Sequence, residues 1–168
     1  MPIPTGTAFA ACLAGSVVAT GLAAEANEAV RTLVIRGHDG DVLARLPLDA
    51  GSFAVSYRNS LYGTVAEERY AVLPDGRYRL VEIAADQLAV LEEYYSLPDA
   101  PRPAAASDRR RWVARPDPER PVVVGELSIA ATDLGQRTVH VAGEAPVELW
   151  RLVEDENPVV VLHIEEAP

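Results

Sequence analysis

From residue 30 to residue 164 the chain alternates short β-prone runs with turn chemistry, the pattern of an all-β sandwich or barrel. VRTLVIR (30–36) and VLARL (42–46) flank His38-Asp39-Gly40-Asp41, where the Asp-Gly step supplies the positive φ of a tight hairpin. SFAVSYR (52–58) puts Phe53, Val55 and Tyr57 on one face of a strand, at a period of two. The next run, about 64–73, ends at Pro74-Asp75-Gly76-Arg77 and leads into YRLVEIA, which predicts a second hairpin.

Beyond Ala85 the periodicity changes. Leu88, Leu91 and Tyr95 fall at helical intervals among good helix formers, so 86–95 reads as one short helix or another strand. PDAPRPAAASD (98–108) is a Pro/Ala loop with little capacity for regular pairing and enough length to be mobile. Five more strands follow in RRWVAR, VVVGELSIA, QRTVHVAG, VELWRLV and VVVLHIEE. The uninterrupted runs Val122–Val124 and Val159–Leu162 suit central strands covered on both faces, whereas VELWRLV alternates like a half-exposed one. The expectation is a single antiparallel β-sandwich domain over 30–164, of about eight or nine strands.

Composition narrows the partners. The 168 residues can bury one sizeable core, and a formal net charge of −10 disfavours nucleic acid or anionic lipid, which require clustered positive charge. All fifteen basic residues are Arg; the run Arg109-Arg110-Arg111 reads as a solvated stretch of linker. Residues 7–24 carry no charge and precede Glu25, so 1–24 read as a signal peptide or an N-terminal membrane anchor. That places the body outside the cytoplasm, exported or anchored, with membrane contact only through this segment. The single cysteine, Cys12, lies inside the apolar run, which excludes an intrachain disulfide and makes lipid attachment a minor alternative.

The segment Gly51 to Arg79 carries the most specific pattern: Tyr57, then Asn59 and Ser60, then Thr64 with the pair Glu67 and Glu68. With Leu97-Pro98 further on, it resembles a small bacterial domain family of unknown function encoded beside fused permeases of TAXI-type TRAP solute transporters. The resemblance implies a non-catalytic accessory or binding module that contacts a TRAP-type permease or its solute receptor. Asn59 stands where that family has His, which removes from the motif the only group that could act as a base near neutrality.

Candidate chemistry is otherwise sparse. His38 sits in a turn, and His140 and His163 are polar partners in alternating strands, so their spacing predicts no metal site and no cofactor. Asp39 and Asp41 lack the longer loop and distal Glu of a calcium site. There is no Gly-x-Ser-x-Gly elbow and no recognisable triad, so an enzyme is not expected. Glu67 and Glu68, adjacent in a strand, point to opposite faces, which puts one of them in solvent. Glu68 with Tyr57 and Asn59 could line a polar pocket for a small molecule, or form a cross-strand network that holds the hairpin register. The six tyrosines, Tyr57, Tyr62, Tyr70, Tyr78, Tyr94 and Tyr95, all lie mid-chain and could form a binding face.

Overall fold

The alternating runs pair into two antiparallel sheets in a computed structural model that describes residues 31–166. The leader reading of 1–24, with Cys12, lies outside the described residues. One sheet has four strands in the order β2 (Val42–Pro47), β1 (Arg31–Gly37), β12 (Val159–Glu166), β9 (Glu126–Ala130). The other is built on β3 (Ser52–Arg58), β4 (Val65–Val72) and β5 (Tyr78–Ala85). Beside β3 it continues through β10 (Thr138–Val141) to β11 (Val147–Glu148). Beside β5 it continues through β7 (Trp112–Ala114) to β6 (Arg102–Pro103), with β8 (Val123–Val124) on the far end of β5. Nine strands have three residues or more, and three are two-residue pairings at the margins. The Asp-Gly hairpins form as expected, with Gly40 at φ +89 and Gly76 at φ +77.

Register decides which side chains meet. Phe53, Val55 and Tyr57 on β3 stand opposite Tyr70, Glu68 and Ala66 on β4, all on the face turned toward the other layer. There Phe53, Tyr70 and Tyr78 form a mutual aromatic cluster with centroids 5.0–5.6 Å apart, packed among Leu33, Ile35, Val160 and Leu162. Tyr78, fully buried, donates its hydroxyl to the Leu162 carbonyl at 2.9 Å and so ties the two sheets together. A second, smaller core on the same face places Ala66, Ile83 and Ala85 beneath Val90 and Leu91 of helix α1 (Leu88–Tyr94). The helical reading of 86–95 is therefore the correct one. At seven residues and with no side-chain cap, α1 is too short to be stable alone and is held by that buried face.

Three expectations fail for identifiable reasons. Val122–Val124 is not a central strand: Pro121 and Gly125 bracket it, only two residues pair, and Val122 is largely exposed. VELWRLV breaks after two strand residues into a one-turn 3-10 helix, Leu149–Arg151, which swings Leu149 fully into the main core. The 98–108 segment is not free of pairing, because Arg102 and Pro103 pair with Val113 and Trp112. Val159–Leu162 is central as expected, although only Val160 and Leu162 are fully buried.

Candidate functional site

The Tyr57–Glu68 motif separates into three places. Its loop residues close the β3–β4 connection: the Asn59 amide donates to the Thr64 carbonyl at 2.8 Å, and its side-chain oxygen accepts from the amides of Leu61 and Tyr62. Asn59 is buried, Ser60 is exposed, and Gly63 takes the positive φ that completes the turn. The Thr64 hydroxyl is buried without a hydrogen-bond partner. Asn59 thus keeps a hydrogen-bonding role in the loop.

On the inner face, Glu68 lies where the two cores meet. Its carboxylate accepts from the hydroxyls of Tyr70 at 2.7 Å and Tyr95 at 2.9 Å, and the Tyr95 and Tyr57 hydroxyls are 2.8 Å apart. Arg137 caps the outer edge, its guanidinium 4.7 Å from the centre of the Tyr57 ring. Burial, then the Glu68 charge, pushes the hydroxyls of Tyr70 and Tyr95 up, so both remain protonated donors. Each carboxylate oxygen accepts one hydroxyl, and Glu68 is linked to Tyr57 of β3 through Tyr95. Leu97 packs on the second core beside Tyr95, and Pro98 is exposed.

Glu67 points the other way and is not in solvent: it is 0 % exposed. The segment that covers it is the arginine run, which is therefore no solvated linker. Arg109 donates to Glu67 Oε1 at 2.8 Å, as does Arg69 Nε from two residues along β4. Arg110 Nε faces Glu67 Oε2 at 3.5 Å, and these two atoms are the buried pair left without a hydrogen bond. Asp108 anchors the segment through a bidentate pair with Arg69 at 2.6 and 2.8 Å, and Arg69 also reaches Glu82 at 2.7 Å. Arg110 is held as well by Asp86 at 3.1 Å. Burial alone would raise the Glu67 carboxyl, but the hydrogen bonds from Arg109 and Arg69 outweigh it and hold the group below the ordinary range. Arg69 holds the Asp108 carboxyl down at about 2.

Ser56 sits directly opposite Glu67 on this outer face, and its hydroxyl lies 2.9 Å from His140 Nε2 on the neighbouring strand β10. Burial, with Arg109 adding to it, lowers the His140 pKa and keeps the imidazole neutral at pH 7. Beside this pair the face is concave. Ser52 and Ala54 of β3 and Ala142 after β10 are small, while Arg69, Glu82, Arg109, Arg115 and His140 rise around them, leaving a groove of about 480 Å³. A smaller recess of about 170 Å³, lined by Arg58, Arg110, Gln136 and Trp150, lies on the other side of Ser56 and His140.

The remaining candidates disperse. His163 contacts Glu165 at 3.1 Å, Asp39 accepts from the Asp41 amide within its turn, and no three metal-ligating side chains cluster among the described residues. The tyrosines do not make one face, because Tyr70 and Tyr78 are core and Tyr57 and Tyr95 are tied to Glu68. No helix among the described residues is long and apolar enough to cross a membrane.

Fold and site together define a two-sheet β-sandwich that carries a buried, arginine-capped carboxylate on the outer face of its larger sheet. No family model, curated protein or solved structure gives a significant match to the chain.

Proposed function

We propose that this chain is a non-catalytic accessory or binding module of a TRAP-type solute uptake system, working outside the cytoplasm through the outer face of its eight-stranded sheet. The observation that carries the binding reading is Glu67: a carboxylate fully buried on the face turned away from the sandwich core. Taking a carboxylate out of water costs several kcal/mol, and three arginines are spent on offsetting it. The product is a rigid base from which Arg109 projects, half-exposed, at the edge of a groove. The transporter association rests on the resemblance of Tyr57, Asn59, Ser60, Thr64, Glu67, Glu68 and Leu97-Pro98, and the exported location on the apolar leader.

Binding is favoured over catalysis by the setting of Ser56 and His140. Strand β3 is paired on both sides, so its amides are committed to the ladders and none is free to stabilise a developing oxyanion beside Ser56. A small-molecule site around Tyr57, Asn59 and Glu68 is disfavoured because both oxygens of Glu68 are already engaged by tyrosine hydroxyls of the core and Asn59 is turned into its own loop. The test is affinity capture from solubilised membranes with the full chain, beside an Arg109→Gln/Arg115→Gln variant shown to stay folded. Recovery of a permease or solute receptor that the variant loses supports the reading. Recovery by neither chain removes the transporter association.

A further inference from the structure

We infer that the groove over β3 is a binding site for a small organic carboxylate, with Arg109 and Arg115 as its anion-holding side chains. This rests on the outer-face binding reading and names the chemistry of what would enter. The volume of about 480 Å³ falls within the range of small-molecule sites, and three arginines line it against one glutamate in a chain whose net charge is −10. That glutamate, Glu82, is already engaged by Arg69 at 2.7 Å. Among the described residues Arg115 pairs with no carboxylate and Arg109 makes its one hydrogen bond to Glu67, leaving guanidinium hydrogens for a ligand.

The arginine at the edge is held in advance. Glu67 fixes Arg109 from below, so less rotamer entropy remains to be lost when an anion arrives. Carboxylate is preferred to phosphate on two grounds. Phosphate sites commonly present free backbone amides, and from Phe53 to Ser56 the β3 floor is paired on both sides. The floor and rim also offer apolar surface, Ala54, Ala142 and the exposed Val81, which suits a hydrocarbon body behind a charged head and not a fully hydrated ion. A planar carboxylate matches the guanidinium fork in a bidentate pair.

The experiment is an amide-resolved NMR titration of the full chain with succinate, with inorganic phosphate and with neutral succinamide. The expected result is saturable shifts for succinate at Ala54, Arg109, Arg115 and His140, weakened by salt and absent for succinamide. Arg115→Gln carries the test because the exposed side chain makes no ion pair with the described residues; it should keep the native melting temperature and bind succinate about tenfold more weakly or worse. An equal response to succinamide, saturation by phosphate alone, or no change on Arg115→Gln would each overturn the assignment. A silent groove in a chain that still captures a permease or receptor would remove this inference and leave the module reading standing.

Discussion

Replacing Glu67 by Gln tests the central physical claim. The substitution keeps the shape of the side chain and removes its charge, so three cations lose their shared anion. They lose it unequally. Arg69 retains Asp108 and Glu82, and Arg109 is half-exposed and can rehydrate. Arg110, only 14 % exposed, keeps Asp86 alone, and the new amide must place a donor group among donors. Breaking a buried ion pair by removing one partner costs about 3–5 kcal/mol, and the surviving partners put Glu67→Gln at the lower end, about 3 kcal/mol. With a urea slope of about 2 kcal/mol/M, the midpoint of urea unfolding at pH 7 should fall by about 1.5 M. The native carboxyl is held below its unfolded value, so its contribution is present above the ordinary carboxylate range and is lost as pH falls through the lowered folded value. Acidification should therefore destabilise the native chain more steeply than the variant. A loss under about 1 kcal/mol at pH 7, or parallel acid profiles, would refute the buried ion-pair account.

Asp108→Asn removes the bidentate anchor of the covering segment, so hydrogen exchange at the Ala104 and Arg111 amides should speed by about tenfold or more; unchanged protection would show that the segment is held by its strand pairing alone. The same carboxyl, held at about 2, makes the native chain lose stability between roughly pH 4 and pH 2, a slope that Asp108→Asn should flatten in acid unfolding monitored by circular dichroism. Tyr95→Phe deprives both Glu68 and the Tyr57 hydroxyl of a partner and should cost about 1–2 kcal/mol in thermal unfolding, whereas a neutral result would mean that water substitutes freely in the network.

The inner half of the molecule is legible in the sequence. Asp39-Gly40 and Asp75-Gly76 announce their hairpins because a positive φ has few residues that accept it. The Phe53, Val55, Tyr57 alternation gives the inner face, since a period of two follows from strand geometry alone. The short helix shows only in part: the Leu88, Leu91, Tyr95 spacing leaves a strand open, and the buried face is Val90 and Leu91, with Tyr95 past the helix end. The outer face does not show, because Ser56, Glu67 and Arg69 look like the solvent side of ordinary strands. What buries them arrives about forty residues later, from a Pro/Ala stretch whose arginines resemble solvated charge. No periodicity links Glu67 to Arg109; only the folding-back of 98–111 across β5 and β4 does.

That origin bears on what the cluster is for. The sandwich closes its core on the opposite face, and well-packed apolar residues in place of a buried ion cluster are often as stable or more so. Stability is therefore a poor reason for an ionic cluster at this position. Geometry is a better one: Glu67 and Asp108 together fix Arg69, Arg109 and Arg110 over β4, and Arg109 is the member that also opens to solvent. A side chain with several rotatable bonds is thereby presented in one orientation beside the Ala54 floor, which a free surface arginine would not be. If only folding were served, Arg109→Gln should cost stability with no loss of ligand, while Arg115→Gln should do nothing at all. The paired outcome, binding lost in both variants and stability lost only in the first, would place the work of the cluster in recognition.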